Sequence, residues 1–191
     1  MEFALGLLVV LAVVFFAAVI LMPTNIRYRE SIMVSAPLQS VYDNVRYQED
    51  LMRWSAWPST TNSTCSVAGL DGEKGAQTVF FSKGKRFGHQ EIIDLAENKS
   101  VTFTLESKGP PQKPVLTFLF EQMSNNQTKV TIDFSNQLSR PFNVLLRLFG
   151  IVRWTRQMHR KDLQGLKRYC EPPYMTYTGQ AITQRNRPVS V

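Results

Sequence analysis

Few side chains in this sequence can carry a proton or hold a charge inside a fold, and they are widely spaced. The two histidines, His89 and His159, stand seventy positions apart. His89 precedes Glu91 by two residues, which puts both on one face of a strand, where they could work as an acid/base pair. The alternation around them suits either face as the inner one, and a charged pair more often faces water. His159 belongs instead to a helical repeat. Taking Val152 as zero at about 100° per residue, His159 falls at about −20° and Arg156 at about +40°. Both sit inside the apolar stripe of Val152, Leu163 and Leu166. Facing a cavity, such a pair could hold the carboxylate or phosphate of an amphiphilic ligand. The competing reading makes His159 a satisfied core histidine and lets Arg156 snorkel outward at an edge.

Other chemistry is missing from the pattern. No C-x-x-C or H-E-x-x-H spacing occurs, so no metal site is expected. The stretch "SKGKRFGH" lacks the spacing of a phosphate loop and reads as a hairpin turn. No G-x-S-x-G elbow is present, and neither Cys65 nor Cys170 has the setting of a nucleophile. Nothing calls for a cofactor. The two cysteines fit free thiols, with a single disulfide as the alternative.

The elements that must position these residues begin with a membrane-type segment. Phe3 to Met22 is twenty residues without a charge, about 30 Å long as a helix and so matched to a bilayer core. A cleaved signal peptide would have a basic start and a shorter apolar run. Residues 1–24 are therefore expected to be an uncleaved anchor. Glu2 precedes the run while Arg27 and Arg29 follow it, which predicts a single-pass protein with its domain in the cytoplasm. The chain carries 22 Lys and Arg against 15 Asp and Glu, a net +7 that becomes +8 when Glu2 is set aside with the span. No nucleic-acid-binding motif accompanies that charge. An anionic membrane surface is the expected partner, met by a basic helix carrying Arg147, Arg153, Arg160, Lys161, Lys167 and Arg168. An ordinary solvated helix face is the alternative.

Beyond the anchor, Ile26, Tyr28, Glu30, Ile32 and Val34 alternate as a first strand. Pro37 opens a short amphipathic helix with Leu38, Val41, Tyr42 and Val45 on one side. A second short helix is expected at Gln48 to Met52, ending before Trp54 and Trp57. Strand runs follow at "QTVFFS", "GHQEIIDLA", "SVTFTLES", "VLTFLFEQ" and "TKVTIDFS", separated by glycine, asparagine and proline turns. Phe80, Phe103, Phe118 and Phe120 on their inner faces are candidates to line a cavity or to fill a core. After Pro141 the period becomes helical and predicts one helix of about 28 residues, with Gly150 as the place where it could bend or break. Residues 171–191 lose all periodicity and are expected to be a mobile tail. The layout over residues 25–170 is an α+β helix-grip: a curved antiparallel sheet of about seven strands wrapped around a long C-terminal helix.

The stretch "RESIMVSAPLQSVYDNVRYQEDLMRWSAW" resembles the opening of the SRPBCC superfamily, the START-like proteins often labelled polyketide cyclase/dehydrase. The likeness rests on Ile32 to Pro37, the Val41-Tyr42 pair and the W-x-x-W of Trp54 and Trp57, and in element order it runs from about Arg27 to Tyr169. The resemblance implies a central cavity for a hydrophobic or amphiphilic small molecule. It carries over no catalytic residue, because the family has no universal set. The expected function is a membrane-tethered, non-catalytic binding domain for a lipid- or isoprenoid-class molecule, with Trp54 and Trp57 anchoring one end of the grip. Two alternatives stand beside it: a cyclase or dehydratase-like enzyme using His159 or the His89/Glu91 pair, and a protein-interaction adaptor.

Overall fold

The computed structural model describes residues 2–107 and 113–171. Apart from Glu171, the expected tail lies outside the described residues. An apolar helix, α1 (Glu2–Leu21), opens the chain with none of its residues buried. Its length and composition suffice to cross a membrane, a test that a signal sequence near the N-terminus also passes. Three residues later comes β1 (Asn25–Val34), then three short helices, α2 (Leu38–Arg46), α3 (Gln48–Trp54) and α4 (Trp57–Thr61). Six strands follow: β2 (Thr64–Ala68), β3 (Gln77–Ser82), β4 (Lys85–Ala96), β5 (Ser100–Ser107), β6 (Val115–Ser124) and β7 (Gln127–Gln137). Two helices, α5 (Phe142–Leu148) and α6 (Ile151–Cys170), end the described part.

The strands form one antiparallel sheet in the order β1-β7-β6-β5-β4-β3-β2, curved around the C-terminal helix as an α+β helix-grip. Register sets the inner face. Phe118 lies opposite Ile132 and Phe120 opposite Val130 on β6 and β7, and Phe103 lies opposite Leu116 on β5 and β6. These side chains, with Val41, Tyr42 and Val45 of α2 and Leu163 and Leu166 of α6, make the core. Both cysteines are free.

Three local expectations are corrected, and one strand is added. The C-terminal helix is not continuous: Gly150 takes φ +70°, a left-handed conformation that glycine adopts without strain, and the chain turns there between α5 and α6. The second short helix runs through Trp54 rather than stopping before it, and Trp57 opens a further helix. "TCSVA" is a strand pairing with β3, too short and polar to show an apolar repeat. "KRFG" belongs to β4, the turn itself being Lys83-Gly84, both at positive φ as a two-residue hairpin requires.

Two contacts fix the helices to one another. Asp71, in the loop after β2, accepts the Gln48 and Glu49 amides at 2.7 and 3.2 Å and so caps the N-terminus of α3. Gly165 of α6 lies against the backbone of Trp54, where an added Cβ would sit 2.2 Å from the Trp54 carbonyl oxygen. A backbone atom cannot swing aside. Gly165→Ala is therefore expected to push α6 off α3 and destabilise the full chain in detergent by at least about 1–3 kcal/mol. The urea midpoint measures this, and an unchanged midpoint would contradict the close approach.

Candidate ligand cavity

The inner sheet face and α6 do not close on each other completely. Between them, with α3 and α4 at one end, lies a cavity of about 360 Å³. Its walls are largely aromatic and aliphatic, including Trp54 and Trp57, Phe80 and Phe87, Leu105 and Phe118. Polar side chains line it as well, and three of them, Asp162, His159 and Gln90, are buried in distinct settings.

Asp162 is the most buried of the acidic groups, with a relative exposure of 4%. It projects from α6 into the turn between α3 and α4. Its Oδ1 accepts the Ala56 amide at 2.8 Å and the Ser55 hydroxyl at 3.1 Å, and its Oδ2 accepts the Trp57 indole N–H at 2.9 Å. Burial pushes its pKa up to about 6, while those three donors pull the other way. Trp54 is held separately, its indole N–H donating to the Asn44 carbonyl at 2.9 Å.

His159 lies one helical turn before Asp162, with its ring near those of Trp57 and Phe134. Its Nδ1 is 2.9 Å from the Tyr28 hydroxyl. Burial raises the Tyr28 pKa, so the phenol keeps its proton. That proton needs an acceptor, which makes Nδ1 the acceptor and leaves Nε2–H as the donor the ring can offer the cavity. Burial also lowers the His159 pKa to about 4, against a smaller opposing pull from Glu30. The imidazole is thus neutral at physiological pH. Gln90 is a third case. It faces inward from β4 with 6% exposure, and its Nε2 has no hydrogen-bond partner among the described residues.

Of the sequence-predicted site residues, Trp54, Trp57, Phe80, His89, Phe118 and His159 line this cavity. The others do not. Phe103 packs behind Phe118 with ring centroids 6.0 Å apart, and Phe120 meets the Tyr42 ring at 5.5 Å. Leu163 belongs to the core, and Val152 lines a neighbouring void of about 40 Å³ with Tyr28, Leu146 and Ile151. Arg156 is corrected most sharply. It has the inward helical phase, but its guanidinium pairs with Glu30 of β1 alongside Arg160 and lies over the Tyr28 ring. The Arg160 and Arg156 guanidiniums hold the Glu30 carboxyl below its usual range. At the His159 end of the cavity a charged head group therefore finds neither an imidazolium nor a free arginine.

Glu91 lies on the opposite face of β4 from Gly88, Gln90 and Ile92, which are buried; His89 shares the face of Glu91, yet with Glu106 of β5 it lines part of the cavity. The Arg86 guanidinium donates to His89 Nδ1 at 3.1 Å, and His89 Nε2 stands 3.9 Å from Glu91 and 4.0 Å from Glu106. Sequence reasoning missed Gln90, Phe87, Leu105 and Asp162. For Asp162 a signal existed: one acid in a strongly basic helix, three residues after the inward histidine. Gln90 had none beyond its place between two apolar strand positions. Among the described residues, no group of three or more His, Cys, Asp or Glu side chains is placed to hold a metal ion.

No protein-family model matches the sequence, and no curated protein does. Solved structures do. The Aha1 dimer from Colwellia psychrerythraea matches with a TM-score of 0.57 and 19% identity, over 76% of this chain and 96% of that one. Norcoclaurine synthase from Thalictrum flavum matches with a TM-score of 0.58 and 9% identity, over 75% and 85%. A protein of the dynemicin biosynthetic locus matches with a TM-score of 0.53 and 18% identity, over 75% of this chain and 46% of that one. At these identities the likeness is one of fold, the helix-grip.

The settings of Asp162 and His159 predict opposed pH dependences. A carboxyl whose pKa is higher folded than unfolded stabilises most when protonated, and that contribution fades as pH rises from about 4 to about 6. An imidazole whose pKa is lower folded contributes above about 6.5 and is lost as pH falls toward about 4. In the shared window the two slopes offset each other. Asp162→Asn removes one of them, so the variant should lose roughly 2–3 kcal/mol more than the parent between pH 6.5 and 4. Denaturant titrations across that range test it; parallel profiles would refute the opposition.

Proposed function

We propose that this chain is a membrane-tethered binding domain whose cavity takes one apolar or amphiphilic molecule, of the lipid or isoprenoid class, without transforming it. The observation that carries the reading is the Gln90 amide. An unpaired buried donor costs about 1–3 kcal/mol, and here it sits in the wall of the cavity, among aromatic and aliphatic side chains. A ligand oxygen would relieve that cost. The cavity volume falls at the lower end of the roughly 300–1,000 Å³ of small-molecule sites. With His159 neutral, Arg156 engaged by Glu30 and Asp162 present as a carboxyl, the polar end it suits is a neutral oxygen, an alcohol, ester or ketone, rather than an anionic head group.

Enzymatic use of the same wall is less well supported. The two buried titratable groups there are committed to structure: the Asp162 oxygens accept three donors, and His159 Nδ1 accepts the Tyr28 phenol, while His89 and Glu106, which also line the cavity, stand 4.0 Å apart. An adaptor would be served by a filled interior, which an open cavity does not favour.

Tethering is supported by how α1 ends. Arg140 donates to the Val19 and Ile20 carbonyls at 2.9 and 3.0 Å, and Asn143 donates to those of Val19 and Met22. Arg147 donates to the Pro23 and Asn25 carbonyls. A helix whose last carbonyls are capped by its own domain has a structural role in the finished protein, which a cleaved leader would not need. Arg27 and Arg29, just past the span, support a cytoplasmic domain. The broad basic face of α6 offers less to an anionic surface than its composition implies. Arg156 and Arg160 are engaged by Glu30, and Lys167 by Glu171 and the Met33 carbonyl.

Native mass spectrometry of the full chain, extracted in mild detergent, should release a single apolar molecule carrying at least one neutral oxygen. Leu105→Trp, which fills the cavity, should abolish its recovery. Gln90→Leu should weaken its binding by up to about tenfold while stabilising the empty protein by about 1 kcal/mol, because an orphaned donor is removed. A folded protein that carries nothing and binds no neutral lipid would overturn the reading; turnover lost on His159→Phe would favour the enzyme.

A further inference from the structure

The elbow between α5 and α6 exposes apolar side chains that the fold gives no partner. Leu148 and Phe149 are 71% and 72% exposed, and Ile151 and Trp154 follow at 43% and 39%. They flank Gly150, whose left-handed turn brings the end of α5 and the start of α6 together at one corner. Contiguous exposed apolar surface of this kind marks a contact site.

Its position says with what. α5 begins where Arg140 and Asn143 grip carbonyls in the last turn of α1, so the start of α5 lies level with the end of the apolar helix. The seven residues of α5 carry the chain only about 10 Å further. Arg147 and Arg153 each stand three residues from Gly150, and Trp154 adds an amphipathic ring packed edge-on against Trp57 at 5.3 Å. Apolar tips flanked by arginine and tryptophan, beside the end of a helix fit to span a bilayer, have the composition of an interfacial segment.

We infer that the α5–α6 elbow docks into the same leaflet that α1 leaves, with Leu148, Phe149 and Ile151 entering the headgroup and acyl boundary. The inference rests on the reading of α1 as a retained membrane span. It goes beyond tethering, because it makes the domain seated rather than suspended. It also turns one wall of the cavity toward the lipid. Leu146 and Thr155, on either side of the elbow, line the main cavity, and Ile151 lines the small void beside it.

The test uses the full chain with Cys65→Ser and Cys170→Ser, reconstituted in nanodiscs of phosphatidylcholine with a minority of phosphatidylglycerol. Single cysteines are introduced as Phe149→Cys, Val13→Cys and Leu70→Cys and labelled with an environment-sensitive fluorophore. Leu70, 78% exposed in the loop after β2, serves as the water-facing reference. The label at 149 should be quenched severalfold more by nitroxide lipids than the label at 70, and severalfold less by aqueous iodide. Iodide quenching at 149 equal to that at 70, with the label at 13 quenched by lipid, would overturn the elbow while leaving the span intact. Shielding at 149 from both quenchers would also overturn it, pointing to a contact with a second copy. A label at 13 that lipid does not quench would sink the span itself, whatever the label at 149 reports.

Discussion

One buried carboxylate organises the domain. Asp162 joins the C-terminal helix to the turn between α3 and α4 through two backbone-proximal donors and one indole N–H. The closest approach of the same two pieces, Gly165 against the Trp54 carbonyl, lies three residues further along α6. Hydrogen bonds fix rotation and the glycine fixes distance, so α6 can sit on the Trp54–Trp57 segment in one way only. A buried charge is costly unless donors surround it, and three donors converge on this one. Trp54 and Trp57 thereby acquire different tasks. Trp54 is locked into the core by Asn44 and Phe118, while Trp57 is oriented by Asp162 and forms cavity wall.

With α6 pinned at that end, its other attachments lie along β1 rather than across the sheet. Glu30, on the inner face of β1, takes both Arg156 and Arg160, and Tyr28 takes His159. The helix is thus fastened to one edge of the sheet and to the α3–α4 turn, and the part of the middle strands that α2 does not cover is left without a helix pressed on it. The cavity is the space that this asymmetric fastening leaves. Gly88 contributes on the far side, where a Cβ would come within 2.5 Å of the Glu106 carbonyl oxygen; the absent side chain lets β4 and β5 pack closely. Phe80, opposite Gly88 in register, occupies the wall there.

Strand alternation and helical phase made the sheet, its inner face and the amphipathic α2 legible in the sequence. What they could not convey is where a long side chain ends. Arg156 has the phase of a cavity residue, yet its flexible stem carries the guanidinium sideways to Glu30, a partner 126 positions away that no local pattern announces. Phase likewise fails to separate Phe118 from Phe103: both point inward, and only the depth of packing makes one wall and the other core. Asp162 was hidden by composition, one acid among many bases. Its meaning depends on Ser55, Ala56 and Trp57 arriving from more than a hundred residues earlier. The break at Gly150 was visible as a possibility, because only glycine takes that φ freely, but its direction is a property of the assembled corner.

That corner also decides how freely the domain can move relative to α1. Only Met22, Pro23 and Thr24 separate α1 from β1, and Thr24 is already paired, its carbonyl accepting the Leu138 amide at 2.9 Å. The unsatisfied carbonyls at the end of any helix must find donors, and in a bilayer they must find them at the depth of the interface. Here the donors come from Arg140 and Asn143, at the start of α5, with Arg147 holding the Pro23 carbonyl just beyond, so the solution to the capping problem is also a mechanical joint. A flexible linker would have let water cap the helix and left the domain free to tumble. Joining α1 to α5 instead ties the direction of the apolar helix to that of the elbow, and through α6 to the cavity that the elbow helps to enclose.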